Sequence, residues 1–393
     1  MALLLISVAV LVPSVTSGLS GVELAITAMG LVGVILLSMS GGRFDARTRP
    51  LEVWLLLMTV LSTLGYRNTD LLSFGTHWFS ILIFVLSVVA GERIPGSKRK
   101  STLIFVILVL GVASARDLFF DLIGWVQTGH ERLSAEWRLG ERGLATGRGL
   151  SSIIVFVLAL PFVIEKNRFV RSLVWVILCL AGYNIVVVAQ ARGGALILMG
   201  SLFTFAIFRP SSVGAKFSAS IIIASVIILL SLSELPSWVI NSKYLGPLFS
   251  RFVETDDISN DRFRQVQLSL QMLLNGGISS FLLGIESRAV NSVIGINVHV
   301  GYVDMIVRYG FIVAVIYFLV CAYVALRSGF YIYKVRDCPN WVFSIALVQI
   351  VIFVLNFYGG IFTNWREVIF IGILIGIWDS SFRSKLNWGR APS

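Results

Sequence analysis

Three arginines and one histidine have side chains suited to binding a phosphorylated group and accepting a proton: Arg148, Arg192, Arg262 and His299. A guanidinium group keeps its charge at any physiological pH and donates hydrogen bonds in a fork that matches a phosphate. An imidazole accepts a proton near neutral pH, so a well-placed histidine can act as a general base. The residue types therefore indicate anion binding by arginines beside one basic histidine.

The sequence around each arginine favours this chemistry to a different degree. Arg192 lies in the turn 190–194, where two glycines let the backbone approach a ligand. Arg148 comes just before a long apolar segment. A simpler interpretation stays open, because each arginine can extend to lipid headgroups and His299 can be an ordinary interfacial polar residue.

The segment 261–274 is predicted to form an amphipathic helix that starts at Ser259 or Asp261 and lies on the membrane surface or against the bundle. Arg262 falls at the edge of its apolar face, and Arg264 points further toward solvent. The apolar face consists of Phe263, Val266, Leu270, Leu273 and Leu274.

Asp304 and Arg308 are four residues apart within an apolar segment, so a helix there would let them form an ion pair. Ionisable groups inside a membrane span are often functional. A structural salt bridge is the alternative, and the sequence leaves both interpretations open.

The composition indicates the class of protein that must hold these residues. The chain has 393 residues, of which 56% are hydrophobic and only 13% charged, whereas about a quarter of a soluble protein is charged. We therefore predict an all-α polytopic membrane protein. The formal net charge of +11 fits Lys and Arg held in cytoplasmic loops better than nucleic-acid binding.

Segments of about 20 apolar residues are long enough to cross a hydrocarbon core. We predict about twelve spans in one transmembrane domain, 1–393. They are 2–17, 21–39, 51–66, 76–91, 102–120, 150–165, 171–190, 194–208, 217–234, 299–326, 341–358 and 367–380.

Lys and Arg concentrate in alternate loops, which predicts two cytoplasmic termini. The same rule places two long loops, 117–149 and 235–298, on the opposite side, and the larger one contains the helix near 261–274. No nucleotide-binding or metal-binding motif is present, and the three histidines are scattered, so we expect neither a cofactor nor a metal.

Several of these segments resemble the superfamily of O-antigen polymerases (Wzy) and O-antigen ligases. Segment 191–194 (Ala-Arg-Gly-Gly) resembles the family's Ser-Arg-Gly element at the outer end of a span. Segment 261–270 followed by 283–285 (Leu-Gly-Ile) resembles its loop pattern. Segment 298–303 (Val-His-Val-Gly-Tyr-Val) and segment 308–312 (Arg-Tyr-Gly-Phe-Ile) resemble its His-Asn-x-Tyr-Leu element and the glycine-bearing stretch that follows.

The resemblance covers about 140–375, with a looser match at 144–149. The chain departs from the family at Ala191, Val266 and Val300, where Ser, Trp and Asn are usual. These departures favour a divergent member, which suits the polymerases better than the ligases.

The resemblance implies a GT-C-like glycosyltransferase of the bacterial inner membrane with a periplasmic active site. It implies inverting, metal-independent transfer of glycans from undecaprenyl diphosphate. Arg192 and Arg262 would bind the diphosphate and His299 would act as base. Arg148 and Arg264 are further diphosphate candidates, and Tyr302, Asp304 and Arg308 are possible supporting residues.

The sequence is compatible with three functions. A polymerase would transfer the growing glycan onto an incoming lipid-linked repeat unit, with a chain-length regulator as a possible partner in the same membrane. A ligase would transfer it to lipid A-core. A transporter or flippase of lipid-linked sugars or small anions is the third, and the position of most cations in loops argues against it.

Overall fold

The structure is a computed structural model. It describes the following residues: 2–11, 14–15, 21–39, 54–55, 57–61, 71–127, 144–145, 150–188, 192–209, 256–285, 301–335, 338–357 and 365–386.

The described chain is almost entirely helical, as predicted. Its helices are α1 Ala2–Leu11, α2 Gly21–Met39, α3 Leu71–Glu92, α4 Arg99–Gln127, α5 Leu150–Ala159, α6 Arg168–Tyr183, α7 Arg192–Phe208, α8 Asp256–Asn275, α9 Gly277–Leu283, α10 Gly301–Tyr309, α11 Phe311–Lys334, α12 Asn340–Leu355 and α13 Trp365–Leu386.

The chain also contains shorter elements. 3₁₀ turns cover Gly96–Lys98 and Leu160–Ile164, and a π-helical turn covers Asn184–Val188. The two short strands, β1 Ser14–Val15 and β2 Leu144–Ala145, pair antiparallel.

Within the part of the chain that the structure describes, three helical segments are long and apolar enough to cross a membrane: Gly96–Phe120, Arg168–Val186 and Phe311–Lys334. Shorter apolar helices accompany them at Ile81–Glu92, Ser151–Ile164, Gly194–Phe208, Asn340–Leu355 and Val368–Phe382. These helices are consistent with a membrane protein. The predicted span 217–234 lies outside the described residues.

Two predicted spans are wrong in their extent. The first was expected over 2–17, but α1 ends at Leu11 and Ser14–Val15 is a strand. Pro13 explains this end, because the residue before a proline avoids the helical region. The span expected over 299–326 is divided between α10 and α11 at Gly310, whose φ of 85° is outside the helical range.

The direction of the central helices follows from contacts near one end of the bundle. The Ser344 hydroxyl, near the start of α12, donates a hydrogen bond to the carbonyl oxygen of Leu158, near the end of α5. Phe205, near the end of α7, packs edge-on against Phe343 with 6.1 Å between ring centroids. Both α5 and α7 are therefore antiparallel to α12.

Charged residues cluster at this same end. Lys100 pairs with Glu165 at 3.1 Å, and Arg209 donates to the carbonyl oxygen of Cys338 just before α12. A cavity of about 290 Å³ there is lined by residues that include Lys100, Lys166 and Trp341. We call this end the basic end.

Helices α3 and α13 pack with their backbones in close contact, and small residues make this possible. A Cβ on Gly372 would lie 2.6 Å from the Cβ of Ser87, and a Cβ on Gly376 would lie 2.6 Å from the backbone nitrogen of Glu92. Gly91 faces the backbone of Ile373 in the same way. The pair Ser87/Gly91 meets the pair Gly372/Gly376, which is the small-residue spacing typical of helices packed in lipid.

Candidate functional site

The candidate site is at the end of the bundle opposite the basic end, where several helices start. Because α5 and α7 run antiparallel to α12, their first residues lie toward the C-terminal end of α12. Helix α10 starts there too, since the backbone N–H of Tyr302 donates a 3.3 Å hydrogen bond to the carbonyl oxygen of Asn356, which caps α12. Helical rise separates Phe205 from Arg192 by about 20 Å, so the length of α7 carries Arg192 away from the basic end.

Three predicted site residues belong to these helix starts in the sequence. Arg192 is the first residue of α7. Arg148 is two residues before α5, and His299 is two residues before α10. Arg148 and His299 themselves lie outside the described residues, as does the side chain of Arg192.

A buried polar network ties together the helices at this end. The Asp117 carboxylate, only 2% exposed, accepts from the Arg116 guanidinium at 2.6 Å and from the Ser151 hydroxyl at 3.2 Å. Arg116 also donates to the carbonyl oxygen of Leu11, at the end of α1, at 2.6 Å. This network fixes α4 against the start of α5 and the end of α1.

A second group of hydrogen bonds connects α5 to the segment that precedes Arg192. The Asn184 amide donates to the Ser152 hydroxyl at 2.9 Å, and Ser152 is 2.7 Å from the Ser114 hydroxyl. Asn184 is fully buried and begins the π-helical turn. Such turns are often found at functional sites. Asn184 therefore anchors the backbone eight residues before Arg192.

The hairpin of α8 and α9 packs onto α10 through a small separate core. Leu273 of α8 and Val307 of α10 are its buried residues, and Phe281 and Ile285 pack around them. The Ile285 N–H donates to the Val307 carbonyl oxygen at 2.6 Å. Gly284 also faces the backbone of Arg308, so the segments 283–285 and 308–312, which carry two parts of the family resemblance, are in direct contact.

Two glycines with positive φ make that contact possible. Gly284 has φ 88°, and a Cβ there would lie 2.6 Å from the Arg308 carbonyl oxygen. Gly310 has φ 85°, and a Cβ there would meet the Leu282 carbonyl group. A side chain at either position would be strained by the backbone and blocked by its neighbour.

Helix α8 contains the predicted segment 261–274 but starts at Asp256, so Ser259 and Asp261 are inside the helix and do not cap it. The apolar face is also only partly buried. Leu273 is buried, but Leu270 and Leu274 are exposed. The apolar residues share one face of α8, but only the part that carries Leu273 is buried against α10.

The two arginines of α8 differ in helical register. Position 262 is eleven residues before Leu273, within about 20° of it around the axis and about 16 Å along it. Position 264 is on the opposite side of the helix, and the Arg264 side chain is exposed. The side chain of Arg262 lies outside the described part of the structure.

The predicted pair of Asp304 and Arg308 is confirmed. Their side chains are 8% and 4% exposed, and Arg308 Nε donates to Asp304 Oδ1 at 2.7 Å. The pair lies on α10, and the carbonyl of Arg308 is part of the contact with Gly284. The ion pair therefore links two successive turns of α10, whereas the contact with the hairpin is made by the backbone of Arg308.

Tyr302 is buried in an aromatic cluster at the start of α10. Its ring packs edge-on against Phe318 and Phe357, with centroid distances of 5.0 and 4.9 Å. Its hydroxyl donates to the Phe353 carbonyl oxygen at 3.3 Å. Tyr302 therefore fixes the start of α10 on α11 and α12, two residues after Val300.

Sequence reasoning missed Arg116, Asp117 and Asn184. All three fall inside predicted spans, and polar residues at such positions are often functional. Their partners Ser114, Ser151 and Ser152 carry no comparable signal, because isolated serines are common in membrane helices. The predicted loop 117–149 also includes Asp117, but its first residues belong to α4, which continues to Gln127.

No protein-family model matches the chain, and no curated protein matches it. Among the described residues, no three His, Cys, Asp or Glu side chains lie close enough to hold a metal ion.

Proposed function

We propose that this chain is an O-antigen-type polysaccharide polymerase. It transfers a growing glycan from undecaprenyl diphosphate onto an incoming lipid-linked repeat unit. The observation that carries the proposal is that the helices starting beside Arg148, at Arg192 and beside His299 share one end of the bundle. One site needs these residues together, because the diphosphate and the acceptor hydroxyl react at a single carbon.

The proposed reaction is a single inverting displacement. The acceptor hydroxyl oxygen attacks the anomeric carbon of the donor sugar and gives its proton to His299 as the new glycosidic bond forms. The bond between that carbon and the diphosphate oxygen breaks, and undecaprenyl diphosphate leaves with the electron pair. Arg192 and Arg262 stabilise the charge that develops on the leaving group.

Other residues have supporting roles in this proposal. Arg148, near the start of α5, is a further ligand for the diphosphate. Arg264 is on the exposed side of α8, which makes it a weaker candidate than Arg262. The arginines take the role that a metal has in many glycosyltransferases, so a chelator should leave the activity of the purified protein unchanged.

The proposal includes about twelve spans, cytoplasmic termini and a catalytic end on the periplasmic side of the inner membrane. Two features support this orientation. The loops rich in Lys and Arg are those predicted to be cytoplasmic, and residues from several of them, including Lys100 and Lys166, meet at the basic end. The proposed site is at the opposite end.

The surface glycan of a deletion strain tests the proposal. Without a polymerase, the ligase still attaches one repeat unit to lipid A-core, so a gel should show a single added unit and no ladder. If the chain is instead the ligase, no unit is attached and lipid-linked polymer accumulates. A normal surface glycan with a defect in solute uptake would overturn both enzyme assignments and favour a transporter.

A further inference from the structure

The exposed surface of the α8–α9 hairpin carries large apolar side chains spaced four residues apart. They are Leu270, Leu274, Ile278 and Leu282, with exposures of 43%, 72%, 81% and 37%. We call this set the apolar stripe. The spacing puts the first two on one side of α8 and the last two on one side of α9.

Around α8 the residues fall into three sectors. Leu273 and Ser269 are buried, with Leu273 in the core shared with α10. Leu270 and Leu274 follow at about 60° and 100° from Leu273 around the axis. The exposed polar residues Gln267, Gln271 and Arg264 follow, at about 120°, 160° and 180°.

This order describes a helix with three environments, one facing the protein, one apolar but uncovered, and one polar. A helix in the plane of a membrane interface has this arrangement, because its apolar side enters the acyl boundary while its polar side stays in water.

The hairpin also lies beside the start of a helix that is able to span a membrane. The ring of Phe281 stacks on Phe311, the first residue of α11, with 4.9 Å between centroids and 22° between planes. Phe311 and Ile312 are themselves exposed, as are Phe318, Leu319 and Leu326 further along α11. The apolar stripe therefore continues the exposed apolar surface of α11.

We propose that the α8–α9 hairpin is an interfacial membrane anchor. The apolar stripe inserts among the acyl chains of the leaflet in which α11 begins, while Gln271 and Arg264 remain in the headgroup region and water. The backbone contacts of Gly284 and Gly310 hold the hairpin at this depth by fixing it to both α10 and α11. The anchor does not depend on the proposed function.

A consequence for the proposed function concerns Arg262. If α8 lies in the interface, position 262 is held at the depth at which the phosphates of any lipid-linked substrate are found. This consequence rests on the proposed transferase function, whereas the anchor itself does not.

Spin labelling tests the anchor without measuring activity. In a Cys179→Ser background, where the two remaining cysteines are buried, single cysteines replace Leu274, Ile278 or Gln271 and carry a nitroxide. The labelled proteins are reconstituted in vesicles of phosphatidylcholine and phosphatidylglycerol. Collision of each label with oxygen, which concentrates in lipid, is compared with collision with a water-soluble nickel chelate.

The Ile278→Cys and Leu274→Cys labels should collide more with oxygen than with the chelate, and the matched Gln271→Cys label should show the reverse. If the labels at positions 278 and 271 both collide more with the chelate than with oxygen, the proposal of a membrane anchor is wrong. Protection of position 278 from both reagents would also overturn it, because the stripe would then contact protein. Neither result would bear on glycosyl transfer.

Discussion

The backbone N–H of Ile285 and the carbonyl oxygen of Val307 form a 2.6 Å hydrogen bond that joins the α8–α9 hairpin to α10. Gly284 and Gly310 flank this bond, and both leave no space for a Cβ. The position of the hairpin therefore depends on having glycine at both positions, because a side chain at either one would collide with the facing backbone.

Replacement of Gly310 by alanine should loosen the hairpin. Gly277 is a matched control, because its φ of 76° is similar but nothing lies within 4 Å of an added Cβ. Gly277→Ala should cost about 1–2 kcal/mol from the left-handed backbone alone, and Gly310→Ala should cost more because the Leu282 carbonyl must move. Hydrogen exchange across 256–285 measures the difference, and equal protection in the two variants would contradict the contact.

The ion pair of Asp304 and Arg308 should behave as a buried structural pair. Asp304→Asn leaves the Arg308 guanidinium buried without its carboxylate, and loss of one partner of such a pair typically costs about 3–5 kcal/mol. The double variant Asp304→Leu/Arg308→Met should be less destabilised than Asp304→Asn. Midpoints of thermal unfolding in detergent provide the comparison, and a double variant less stable than the single one would contradict it.

The contact between α3 and α13 predicts a strong effect of one added methyl group. Gly376→Ala should lower the unfolding midpoint, because its Cβ would meet the Val88 carbonyl oxygen. Gly200, inside α7, has nothing within 4 Å of an added Cβ, so Gly200→Ala should raise stability by about 0.5–1 kcal/mol through helix propensity. If both variants shift the unfolding midpoint in the same direction, the close packing of α3 and α13 would be contradicted.

The sequence predicts the helical class and the Asp304–Arg308 pair well, because long apolar segments and i,i+4 spacing are local signals. It fails where the outcome depends on distant contacts. Nothing local shows that Gly310 divides a 28-residue apolar segment, because the division is stabilised by Leu282 and Ile285 of another segment. The burial of only part of the α8 apolar face has the same origin.

The residue types of the candidate site can be predicted from the sequence, but their arrangement in space cannot. Arginines near glycines and a histidine at a span boundary can be found by inspection. Helices α5, α7 and α10 start at one end of the bundle because of how they pack on α12. The periodicity of the sequence does not contain this information. The side-chain amide of Asn184 bonds to Ser152, which is 32 residues away in the sequence.

The two arginines of α8 should differ in their contribution to activity. Arg262→Ala should lower polymerisation far more than Arg264→Ala, because position 262 is on the side of α8 that carries Leu273 and position 264 is on the exposed side. Arg262→Lys should restore activity only in part, because an ammonium group lacks the forked contact with phosphate. Complementation of the deletion strain at matched protein levels measures this, and equal loss in both alanine variants would exclude the assigned roles.

Cross-linking tests the central claim, that Arg192, Arg262 and His299 share one site. Paired cysteines at 192 and 299, and at 262 and 299, are treated with a short bifunctional maleimide in membranes carrying Cys179→Ser. We expect efficient cross-links in both pairs and little cross-linking in the control pair at 264 and 299. Absence of the 192–299 and 262–299 cross-links, with efficient reaction of the control pair, would contradict it.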